Sequence, residues 1–108
     1  MNEDCIKSRG RSMYWATSTF KVVPDPELDS ALRQWAGHIA AAHPGVREVR
    51  CHKHSGGTTV IWQEGFENFH DYQELIDQED GECAQVMARV FQHMVPGTRD
   101  SRLWADGL

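Results

Sequence analysis

At 108 residues the chain is one domain's worth of polypeptide, long enough to bury roughly 60–68% of its unfolded surface without a covalent staple. Sixteen acidic residues against eleven basic leave a net charge of −5, with no cationic surplus to collect phosphates, so nucleic acid is excluded as the expected partner. Three cysteines, Cys5, Cys51 and Cys83, are odd in number and form no CxxC pair. That argues against a disulfide framework and a four-thiolate zinc site, and for reduced thiols in a cytoplasmic protein.

Residues Met1 to Ser12 mix charges around Gly10, contain no apolar run of signal-peptide length and read as a disordered tail ahead of one domain over 13–108. From Met13 to Val23, the residues Tyr14, Trp15, Phe20, Val22 and Val23, with Thr17 and Thr19 between them, suit a strand that Pro24 ends. Asp25 is placed to cap a helix that opens on Pro26, where a missing N–H costs nothing, and Glu27 sits at the positive end of its dipole. Leu28, Ala31, Leu32, Trp35, Ile39 and Ala42 then recur every three or four residues as one apolar stripe, until Pro44 and Gly45 stop it. A second strand runs from Val46 to His54, a Ser55-Gly56-Gly57 turn follows, and a third strand covers Thr58 to Phe66.

Asn68 can cap the next helix. Phe69, Tyr72, Leu75 and Ile76 make a short stripe, Asp80-Gly81 interrupts it as a hinge, and Cys83, Val86, Met87, Val90 and Met94 resume it. Pro96-Gly97 closes the region, and Thr98 to Ala105 completes the pattern as a last strand. No stretch approaches the roughly 18 apolar residues of a membrane span. The order predicts an α+β, ferredoxin-like βαββαβ antiparallel sheet. Some RNA-binding modules share it, but they carry aromatic and basic residues in a run on two central strands. Thr58 to Phe66 has one aromatic in mid-strand and no basic residue.

Right-handed crossovers put both helical regions on one face and leave the other open. If Arg50 pairs with Trp62, then Glu48, Arg50, His52 and His54 share a face with Val60, Trp62, Glu64 and Phe66, while Val49, Cys51 and Ile61 lie opposite. Both faces then hold apolar residues, and the open one, carrying Trp62 and Phe66, calls for a second copy of the chain as a homodimer partner.

The order of elements, together with Val60-Ile-Trp-Gln-Glu-Gly-Phe-Glu-Asn-Phe-His-Asp-Tyr72, resembles the dimeric α+β barrel superfamily over about Met13 to Ala105, and within it the antibiotic biosynthesis monooxygenase-like branch. The carrying features are a third strand that ends in an aromatic and an acidic residue, and a helix that follows at once with an aromatic on its first turns. The resemblance implies a homodimeric barrel. It also implies an activity among those of the branch: cofactor-independent oxygenation of polycyclic phenols, haem degradation, or none assigned.

Haem degradation would need an asparagine, a tryptophan and a histidine ligand where this chain has Ser18, Tyr72 and the neighbourhood of Glu82 and Cys83, so it is disfavoured. Cys83 could bind iron as a thiolate, yet it fits the apolar stripe and reads as structural.

A cofactor-independent oxygenase needs a pocket for an electron-rich substrate, a base and anion-stabilising donors. The candidate lining is Trp15, Trp62, Phe66 and Met87, the candidate catalytic groups are His52, His54, His70 and Tyr72, and the substrate is an aromatic or polyketide-like small molecule. Most aromatics at such spacings are simply core.

His52 and His54 project from one strand face and could share a metal ion with Glu64. The pair abuts a turn where a solvated histidine is commonplace, so neither a metal nor a cofactor is predicted. His38, His43 and His93 read as surface residues. There is no phosphate loop, GxSxG elbow or HExxH helix, and Asp77 to Asp80 lacks calcium-loop spacing. The alternative to a monooxygenase-like enzyme is a non-catalytic dimeric module that binds a small apolar ligand or only assembles.

Overall fold

A computed structural model describes residues 13–54, 56–78 and 80–105 of the chain; the tail expected over 1–12 lies outside them. Strands β1 (Tyr14–Lys21), β2 (Val46–Lys53), β3 (Thr59–Phe66) and β4 (Asp100–Ala105) form one antiparallel sheet in the order β2-β3-β1-β4. Helices α1 (Pro26–Ala42), α2 (Phe69–Asp77) and α3 (Gly81–Phe91) complete the ferredoxin-like α+β architecture. Among the described residues no helix is long and apolar enough to cross a membrane.

Each helix begins where a side-chain oxygen meets its first free N–H groups. Asp25 accepts from the Glu27 N–H at 2.8 Å ahead of α1, Asn68 from the Asp71 N–H at 2.9 Å ahead of α2, and Asp80 from the Cys83 N–H at 2.9 Å ahead of α3. The expected hinge is thus a change of helix, with Asp80 opening the second piece. The stripe of α1 buries Leu28, Ala31, Leu32, Trp35 and Ile39 against Phe20, Val60 and Trp62 of the sheet and against Val86 and Val90 of α3. Trp35 lies flat on Trp62, with ring centroids 3.8 Å apart and planes 7° from parallel.

The hairpin register differs from the expected one by a single residue. His54 donates its N–H to the Thr59 carbonyl at 2.8 Å, so the loop holds one residue more than Ser55-Gly56-Gly57, and Gly56 and Gly57 take positive φ of 87° and 70° within it. Cys51, and not Arg50, therefore faces Trp62. A one-residue slip exchanges the faces of a whole strand. Val49 and Cys51 stand on the face of Trp62 and Glu64, while Arg50 and His52 join Ile61 and Gln63 on the other.

The assignment of Trp62 and Phe66 to the open face is likewise corrected. Val60, Trp62, Glu64 and Phe66 are all buried, because that side of β3 packs beneath the helices. The open face carries Trp15, paired across the ladder with Trp104, together with Arg50, His52 and Ile61. The Arg50 guanidinium lies 4.8 Å from the centre of the Trp15 ring. Gly65 is directly beneath that indole: a Cβ there would meet Trp15 Cζ3 at 2.8 Å.

Candidate functional site

Between the helices and the covered face of the sheet lies a cavity of about 450 Å³. Its apolar walls are the stacked Trp35 and Trp62, with Met87, Leu75 and Tyr72 around them. This is the composition of a site for a flat, largely apolar molecule.

The polar groups that enter the cavity come from four different elements. Glu64 arrives by strand alternation between Trp62 and Phe66, and is only 8% exposed. Its carboxylate accepts the Trp62 indole N–H at 2.9 Å. Burial pushes its pKa up, and the Trp62 hydrogen bond and the charges of His43 and Arg99 offset part of that rise. A carboxyl whose pKa burial raises is a stronger base than a solvated one, which favours proton abstraction.

His43 enters because of its neighbour. A residue before proline is driven out of the helical region, and His43, followed by Pro44, has φ −127° and ψ 82°. Its side chain leaves the line of the helix and turns inward, leaving the residue 6% exposed. There its Nε2 lies 2.7 Å from Asp80 Oδ2, and the Nε2 of His38 lies 2.7 Å from the same oxygen. The Cys83 backbone N–H and the His38 ring, with His43 adding to them, hold the Asp80 carboxyl far below the usual carboxylate range. His43 and Asp80 line the cavity, whereas His38 stands behind them.

Arg99, just ahead of β4, closes another side. It donates from Nε to the Ser18 hydroxyl at 3.0 Å, and its guanidinium sits 4.7 Å over the Phe91 ring. The cavity therefore holds a buried carboxyl, an imidazole–carboxylate cluster and a guanidinium around an aromatic floor.

The residues singled out from the sequence divide accordingly. Trp62, Met87 and Tyr72 line the cavity. Phe66 is fully buried in edge contact with Tyr72, at 5.6 Å between centroids, and does not reach the cavity. Trp15 lies on the opposite side of the sheet, since its neighbours Tyr14 and Ala16 take the alternate positions on β1. His52 is exposed on β2 and His54 is exposed at the hairpin end. His70 is on the solvent side of α2, its side chain 76% exposed and 3.0 Å from Glu74 one turn on. None of these three histidines borders the cavity.

Glu64 entered the sequence reading only as a conceivable partner of His52 and His54, and Asp80, His43 and Arg99 not as site residues at all. Two local signals were there to be read. His43-Pro44 predicts a residue turned off its helix, and His38 lies three positions from Trp35, on the buried stripe.

Among the described residues, His38, His43 and Asp80 form a group able to hold a metal ion, with one ligand atom from each, all within 4.8 Å of one another. His52 and His54 do not belong to it. The Cys83 thiol is pushed up by burial, and further by Asp80 and Glu64, which opposes the thiolate that iron ligation would need.

No family model matches the chain, and no curated protein does. Solved structures match it over nearly its whole length. A candidate antibiotic biosynthesis monooxygenase from Caulobacter crescentus superposes with a TM-score of 0.70 at 13% identity, over 94% of this chain and 96% of that one. A mutant form of SnoaB, a cofactor-independent oxygenase from Streptomyces nogalater, superposes with a TM-score of 0.69 at 13% identity, over 85% and 90%. The chain has the antibiotic biosynthesis monooxygenase-like fold. A dimeric protein of unknown function and ferredoxin-like fold from Bacteroides fragilis also superposes, with a TM-score of 0.61 and 15% identity over 85% of this chain and 94% of that one. At 13–15% identity this likeness is one of architecture.

Proposed function

We propose that the protein is a small oxygenase that needs no redox cofactor and acts on an aromatic or polyketide-like phenol bound between the helices and the sheet. The observation that carries this reading is the coincidence, in one cavity of about 450 Å³, of a Trp35–Trp62 floor with a buried Glu64 whose pKa is raised. An anthrone-type substrate lies on the floor and loses a proton to Glu64. Arg99 stabilises the anion that forms. The electron-rich carbanion reduces dioxygen directly: the ring CH₂ becomes C=O, one oxygen atom enters the product, and the other leaves as water with the two hydrogens taken from carbon. The substrate supplies all the electrons.

The same reading includes a homodimer through the open sheet face, where Trp104 is 52% exposed beside Trp15. The dimeric ferredoxin-like neighbour supports that assembly.

Oxygen uptake by the purified protein across a panel of anthrone-type phenols tests the chemistry. Uptake with quinone-type product is the expected result, and ligand binding without uptake across the panel would leave a binding module in its place. For assembly, light scattering on the eluting peak is expected to give twice 12.3 kDa.

A further inference from the structure

We infer that His38, His43 and Asp80 form a binding site for one divalent transition-metal cation of the zinc class in the wall of the cavity. Three facts support it. The two Nε2 atoms converge on a single carboxylate oxygen at 2.7 Å each, and all three ligand atoms lie within 4.8 Å of one another. A four-coordinate ion with bonds of about 2.1 Å sets its ligand atoms about 3.4 Å apart, so each Nε2···Oδ2 pair has to widen by about 0.7 Å from 2.7 Å while the more widely spaced ligand atoms, within 4.8 Å, close on the ion. Two imidazoles and a carboxylate are a donor set that zinc-class ions take readily, and they leave further coordination positions free.

The second fact is the environment of the ring that stands behind. His38 presents its other nitrogen, Nδ1, toward Glu82 Oε1 at 3.9 Å. Metal-bound imidazoles typically hand that N–H to a carboxylate, which fixes the tautomer and raises the basicity of the ligating nitrogen. On cation binding the proton on Nε2 moves to Nδ1, and a small rotation of the exposed Glu82 side chain brings its carboxylate from 3.9 Å into range to accept that N–H. Asp80 keeps its backbone bond to Cys83 through Oδ1 while Oδ2 faces the histidines, so capping the helix and ligating the ion use different oxygens.

The third fact is access. His43 and Asp80 border the cavity, so the free coordination positions of the ion open onto the space that a small molecule would fill. The ion acts there by charge alone, without exchanging electrons, and its binding does not depend on the oxygenase reading.

The test uses full-length protein, stripped with a chelator that is then removed, with neither oxygen nor substrate involved. Titration with Co²⁺ is expected to produce a visible ligand-field band that saturates at one ion per chain, and Zn²⁺ is expected to bleach it. His38→Gln and Asp80→Asn are each expected to weaken Zn²⁺ binding by about tenfold or more by calorimetry. Asparagine caps a helix as well as aspartate, so Asp80→Asn separates ligand loss from unfolding. His70→Gln leaves binding unchanged. Absence of a Co²⁺ band with no Zn²⁺ heat, or binding that survives both His38→Gln and Asp80→Asn, would overturn the site and leave a hydrogen-bonded clip between α1 and α3. A cation that binds to a protein showing no oxygen uptake leaves this site standing and removes only the oxygenase.

Discussion

The two faces of the sheet are built from alternate residues of the same strands, yet they have been given opposite work. On the covered face, Trp62, Glu64 and Phe66 are shut away from water, and the one charged group among them is met by an indole N–H. On the open face, Trp15, Arg50 and Trp104 remain partly wetted, and the cation lies over the ring. The covered side raises the pKa of its carboxyl because burial there disfavours the charged form. The open side has area without chemistry, the property of a surface that another surface covers.

The largest difference between the faces is expected in stability. Trp62→Ala removes a ring stacked at 3.8 Å on Trp35 and should cost about 3–5 kcal/mol in urea unfolding, whereas Trp104→Ala should stay within about 0.5 kcal/mol when measured on the monomer. Equal losses would mean that the faces are not energetically distinct.

Next comes Glu64→Gln, which should lower oxygen uptake about 100-fold while leaving ligand binding in place. It also has a pH signature. Because burial raises the folded-state pKa of Glu64, the native chain holds that proton after the unfolded chain has released it. Wild-type stability should therefore fall as pH climbs above about 4.3, levelling off beyond the raised value, and the glutamine variant should lack that slope. Parallel stability curves would contradict a strained carboxyl.

On the open side, Trp104→Glu should weaken dimerisation about 30-fold or more in a dilution series followed by light scattering, with no change in the unfolding of the monomer. The smallest effect belongs to His52→Ala and His70→Ala, which should leave both uptake and stability within error; a tenfold loss of uptake from either would move the chemistry away from the cavity.

The element order, the caps at Asp25 and Asn68 and the break at Asp80 were legible in the sequence, because each rests on local chemistry that a few consecutive residues determine. The faces were less so. One extra loop residue before Thr59 decides which half of β2 looks inward, and glycine-rich turns tolerate either length. Of the site's apolar walls, Tyr72 and Met87 were legible because each falls on a helix stripe, whereas Trp62 was expected on the open face and Trp35 only in the core. Its charged groups were hidden for a different reason. His43, Asp80 and Arg99 lie outside the regular apolar repeat, at a helix end, a cap and a strand approach, and only the tertiary fold brings such ends together.

Gly65 gives the open face a property that no side chain supplies. With no methyl group in the way, the Trp15 indole settles against the backbone of β3 in a space that a Cβ would enter to 2.8 Å. Alanine there would lift the ring and tilt it off the guanidinium of Arg50. The height of the surface is thus set by a missing carbon atom, which levels a two-ring aromatic almost flush with its sheet and leaves the edge strand β4 to present the one indole that stands proud.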